Sequence, residues 1–93
     1  MTEKFYLFQF DDDRTYEMTC GVSFKDALWE MAKYTGNGST RLCKSLKGFD
    51  SEDIAGIIDI FECLSMVRIQ NVYIVDKKIY NWDERENKKE KRQ

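Results

Sequence analysis

The chain reads as an α+β domain, a four-stranded, mostly antiparallel sheet in ββα(α)αββ order with two or three helices packed on one face. Three observations predict this. Two pairs of short β-rich runs, each split by a polar turn, lie within residues 4–22 and 67–82; two amphipathic helical patterns lie between them; and no linker is long enough to divide the chain. The expected domain covers residues 1–83, and a charged C-terminal tail, extended or a frayed helix on the end of the last strand, covers 84–93.

Lys4 to Phe10 is rich in aromatic residues, while Tyr16, Met18, Cys20 and Val22 alternate with Thr15, Glu17, Thr19 and Gly21. Asp11-Asp12-Asp13-Arg14 between them makes a hairpin loop. Loop length decides which side chains face the core. An even loop groups Phe5 and Leu7 with Tyr16, Met18 and Cys20; an odd loop puts Tyr6, Phe8 and Phe10 there instead. The odd loop is favoured because it buries three aromatics and leaves Phe5 and Leu7 outside. Either register leaves an apolar patch on the outer sheet face, where it binds a partner or lies beneath the tail.

Ser23 with Asp26 three residues on makes a capping-box-like start for a helix from Phe24 to about Thr35. Phe24, Ala27, Leu28, Met31 and Thr35 share one face, and Gly36-Asn37-Gly38 supplies a stop. Ser39 to Phe49 fits either a short helix, through Leu42, Leu46 and Phe49, or an extended connection framed by Gly38 and Gly48. Asp50, Ser51, Glu52 and Asp53 place a cap and acidic charge at the positive end of a further helix. Its stripe is Ile54, Ile57, Ile58, Phe61 and Leu64, widened by Ile60, Cys63 and Val67, which predicts the more deeply buried helix. Gly56 inside it implies close approach of another element. Residues 72–75 and 79–82 then flank Asp76-Lys77-Lys78 as a second hairpin, and a change of apolar parity near Asn71 predicts a bulge.

Composition excludes several kinds of chemistry. The chain has no histidine, and with it go the commonest general base, the usual metal ligand and the physiological-pH switch. Cys20, Cys43 and Cys63 are too far apart for a short zinc or redox motif and suit a reducing compartment. Arg41 and Lys44 flank Cys43, but without a histidine base the thiol reads as a small hydrophobe. The 36–40 stretch follows a helix and lacks the Gly-Lys-Ser/Thr ending of a phosphate loop. No enzyme activity, cofactor or metal is expected. The six residues from Phe5 to Phe10 are too short for a signal core or a membrane span, so a cytoplasmic protein with no membrane partner is expected.

The candidate partner-binding residues are Asp11, Asp12, Asp13, Trp29, Trp82, Phe5 and Leu7. Aspartate is common in turns for local hydrogen-bonding reasons, yet three in a row also suit docking on a basic protein surface. Trp29 points away from the apolar stripe of its helix, so either residues 39–49 cover it or it anchors a partner, and Trp82 at the end of the last strand carries the same ambiguity. The formal charge of −2 gives no global attraction to nucleic acid. The expectation is a small acidic protein-binding module of inhibitor or adaptor type. In size, acidity and lack of a catalytic set it is similar to compact proteins carried by phages and mobile elements, anti-CRISPR proteins among them, with no shared motif to support more than analogy. The alternative is a nucleic-acid accessory protein using the tail and Arg41, Lys44 and Lys47.

Overall fold

The computed structural model describes residues 5–19 and 23–91. Its elements are β1 (Phe5–Phe10), β2 (Thr15–Thr19), α1 (Phe24–Tyr34), α2 (Thr40–Gly48), α3 (Ile54–Ser65), β3 (Ile69–Ile74), β4 (Lys77–Asn81) and α4 (Trp82–Lys91). The strands form one sheet in the order β2-β1-β3-β4, and every neighbouring pair is antiparallel. The two hairpins therefore join through β1 and β3, their inner strands. Cys20 and Val22, expected to prolong β2, lie outside the described residues.

The first hairpin has the odd loop. Phe8 pairs with Tyr16 and Tyr6 with Met18, and Phe10 closes the turn by donating to the Arg14 carbonyl at 2.8 Å. Asp11, Asp12 and Asp13 form a three-residue loop whose last member has φ 70°, the usual way such a loop recovers strand twist. Tyr6, Phe8 and Phe10 are consequently buried, while Leu7 is half-buried and Phe5 exposed. The expected bulge is at Gln70: Phe10 faces Ile69 and Gln9 faces Asn71, so one residue of β3 is unpaired with β1. That extra residue lets both Ile69 and Val72 face the core although they are three apart.

The helices cover one face of the sheet. Phe24, Ala27, Leu28, Met31 and Ala32 from α1, Leu42 and Leu46 from α2, and Ile57, Ile58 and Phe61 from α3 join the inward strand residues in a single core. Among the described residues no polar or charged side chain is fully buried. Ser23 caps α1 by accepting from Asp26 N–H at 3.1 Å, and Gly36 takes the left-handed conformation after it, φ 83°. Residues 39–49 resolve as a helix because the Ser39 hydroxyl accepts from Leu42 N–H at 3.1 Å and Leu42 and Leu46 both reach the core.

Three sequence expectations need correction. The cap of α3 is Asp53 rather than Asp50, since the Asp53 carboxylate accepts from Gly56 N–H at 3.1 Å and the Ser51 hydroxyl accepts from Asp53 N–H. The more deeply buried helix is α1, with five buried residues against three in α3, and Cys63 faces solvent. The second hairpin turns at Val75-Asp76, a two-residue loop, leaving Lys77 and Lys78 inside the exposed edge strand β4. Of the two readings of the C-terminal stretch, residues 84–91 take the helical one and continue a helix that begins at Trp82. Asn81 caps it by accepting from Glu84 N–H at 2.8 Å, and Arg85 bridges the Asp59 carboxylate of α3 and the Tyr80 hydroxyl.

Candidate functional site

The hairpin tip and the start of α4 meet at one end of the sheet. Asp11 is tied twice to Arg68: its N–H donates to the Arg68 carbonyl at 3.2 Å, and its carboxylate lies 3.5 Å from the guanidinium. The Arg68 guanidinium in turn sits 4.2 Å from the centroid of the Trp82 ring. This acid, cation and aromatic stack borders a cleft of about 370 Å³ completed by Glu62, Met66 and Val67. A cation–π contact is worth about 0.5–1 kcal/mol when exposed and about 2 kcal/mol or more when desolvated, so partner burial of the stack would strengthen it.

Met66 is the least expected wall of the cleft. It ends α3 in the left-handed conformation, φ 62°, a position where glycine or asparagine is usual, and its side chain is 89% exposed. The backbone is strained, and the exposed apolar side chain gains nothing from folding that would offset the strain. Glu62, one turn earlier, accepts from Ile69 N–H at 2.8 Å and so fixes the angle between α3 and β3. Burial pushes its carboxyl above the usual glutamate range, against the opposing pull of the Ile69 N–H and of Arg85.

The remaining aspartates are arranged differently. Asp12 accepts from both the backbone N–H and the Nε of Arg14, at 3.1 and 2.7 Å, and these bonds hold its carboxyl below the usual aspartate range. Arg14 also lies 5.2 Å over the Phe10 ring, which braces the tip against the core. Asp13 is exposed at the apex. Two of the loop's three carboxylates are thus held by arginines, Asp11 by Arg68 and Asp12 by Arg14.

Trp29 is half-buried. Cys43, Leu46 and Lys47 of α2 border it, together with Lys25 and Asp26, around a small cavity of about 90 Å³, and Lys33 lies 5.5 Å from its ring. Residues 39–49 thus cover part of this side chain. Phe5 and Leu7 lie on the outer sheet face. Of the seven candidates, then, Asp11 and Trp82 share the cleft, joined through Arg68; Asp12 and Asp13 adjoin it along the same loop. Arg68, Met66 and Glu62 escape a sequence reading, because no local signal marks the residue on which α3 ends and the partners of Arg68 and Glu62 are set by the tertiary fold.

Among the described residues no three or more acidic or cysteine side chains group in a way that could hold a metal ion, and no helix is long and apolar enough to cross a membrane. Comparison of the chain with protein-family models, curated proteins and solved structures finds no match. The arrangement of the chain's own residues therefore carries the functional argument.

Proposed function

We propose that this chain is a non-enzymatic protein-binding module of inhibitor or adaptor type, and that it docks through the end of the sheet formed by the hairpin tip, Met66 and Trp82. The observation that carries the reading is the coincidence, around one cleft, of an acidic rim with an exposed, conformationally strained methionine and a half-buried tryptophan. Interfaces with this composition divide their labour: charges at the rim guide encounter, and aromatic or thioether side chains at the centre resist dissociation. The partner should present a basic surface with an apolar depression. Surfaces of that charge are common on proteins that handle nucleic acid, which is where an inhibitor of the phage-borne type, anti-CRISPR proteins included, would act.

A second reading has one observation in its favour. The helix α2 exposes Arg41, Lys44 and Lys47 and carries no acidic residue. That face suits a nucleic-acid backbone, with binding that weakens steeply as salt rises. Affinity capture from the native host, run with and without nuclease, separates the two. Protein binding predicts a captured partner that survives nuclease and is lost when Asp11, Asp12 and Asp13 are all changed to asparagine. Capture that vanishes with nuclease and is lost on changing Arg41, Lys44 and Lys47 to glutamine would favour the second reading.

A further inference from the structure

The sheet face opposite the core carries a second pattern, independent of the cleft. Leu7 pairs with Glu17 on one side and with Tyr73 on the other, and Tyr73 pairs with Lys78. One row therefore crosses all four strands as Glu17, Leu7, Tyr73, Lys78. The Lys78 ammonium lies 5.9 Å from the centroid of the Tyr73 ring, so the basic end of the row is turned toward its apolar middle. In the next row Asn71 donates to Gln9 and Asn81 donates to Asn71, both at 2.7 Å, which locks three amides into a continuous chain. At the other end of the face Phe5 is 39% exposed. None of these side chains is buried, and the core residues of the described helices all lie on the other face.

The main row is self-complementary. An acid at one edge, two apolar residues in the middle and a base at the other edge are exchanged end for end by a two-fold axis that runs parallel to the strands. Under that operation Glu17 faces Lys78 of the second copy, Leu7 faces its Tyr73, and the amide row faces itself with Gln9 opposite Asn71. We propose that the outer sheet face is the contact between two copies of this chain, packed face to face about such an axis. Charge pattern and geometry choose the same occupant. A differently charged partner would leave one end of the row opposed to a like charge, whereas a second copy satisfies both ends at once. Four strands about 4.8 Å apart and five residues at about 3.4 Å each span roughly 19 by 17 Å, a small interface. The dimer is accordingly weak and reversible.

Sedimentation equilibrium across low to high micromolar concentration tests this directly. The unaltered chain should show a reversible monomer–dimer equilibrium. Either E17K or K78E alone places like charges opposite each other at both ends of the row and should raise the dissociation constant at least about tenfold. Combining E17K with K78E restores opposite charges and should return it to near the original value. Both side chains are exposed, and circular dichroism of each variant confirms that the fold is kept. A chain that stays monomeric throughout, its face free or taken by another protein, overturns the proposal. So does a dimer indifferent to the single reversals, or one that the double reversal fails to restore.

Discussion

Met66 has a left-handed backbone and is 89% exposed, so its backbone strain can be relieved without disturbing the core. Glycine removes the backbone penalty, although its greater freedom in the unfolded chain offsets part of the gain. Met66→Gly is expected to stabilise the fold by about 0.5–1 kcal/mol, read as a shift in the denaturation midpoint, while weakening partner binding. Stabilisation without loss of binding would remove Met66 from the site. Phe8 and Leu7, adjacent in sequence, provide the opposite contrast. Phe8 is fully buried among Tyr6 and Phe24, so Phe8→Ala should cost about 3–5 kcal/mol, whereas Leu7→Ala on the half-buried outer face should cost about 1 kcal/mol or less in the monomer. Thermal melts that reverse this order would contradict the strand register. That register was legible before the structure because a side-chain period of two ties three aromatics to one loop parity. The strain at Met66 was not, since nothing local in Leu64-Ser65-Met66-Val67 specifies a left-handed residue.

At the scale of elements, α3 is held by contacts from both ends. Near its start the Phe49 ring lies over Gly56: a Cβ placed there would come within 2.7 Å of the ring and 3.0 Å of the Asp53 carboxylate. Alanine normally gains about 1 kcal/mol over glycine inside a helix. Here Gly56→Ala should instead lose about 1–3 kcal/mol through overpacking, as urea denaturation would show, and a gain would mean that Phe49 moves aside freely. Near the end of α3, Glu62 joins the helix to β3. Because burial raises its folded-state pKa above the unfolded value, protonation favours the fold. The stabilisation is complete below the unfolded glutamate value of about 4.3 and is lost as pH rises through the folded value. Glutamine keeps an oxygen for the Ile69 N–H without the charge. Glu62→Gln should therefore raise the melting temperature relative to the unaltered chain near neutral pH, with the gap closing toward about pH 4. A gap that widens in acid would reverse the assigned sign. Both hairpins, α1 and α3 were visible in capping signals and periodicity. The helix at α4 was visible only as an alternative to an extended tail, because DERENKKEKRQ has no apolar stripe; its order comes from the Asn81 cap and from Arg85, which reaches across to Asp59 and Tyr80.

For the molecule as a whole, the fold follows from patterns that repeat over many residues, but the cleft depends on a few contacts between distant parts of the chain. Asp11 and Arg68 are separated by most of the sequence, and only the β1–β3 pairing brings them together. A sequence reading could single out the aspartates by charge and Trp82 by size; it had no means of joining them through Arg68. The outer face was legible as a patch through Phe5 and Leu7, and its charged ends emerged only once Glu17 and Lys78 had their places in the row. The two surfaces make separate demands, one for a basic partner and one for a second copy, and they can be altered independently. The most direct test of the central claim is the binding kinetics of the captured partner with folded variants at several salt concentrations. Changing Asp11, Asp12 and Asp13 to asparagine should mainly slow association and flatten its salt dependence, while Trp82→Ala should mainly speed dissociation, by a factor corresponding to about 2 kcal/mol or more. Association and dissociation rates unchanged in both variants would contradict docking through this end of the sheet.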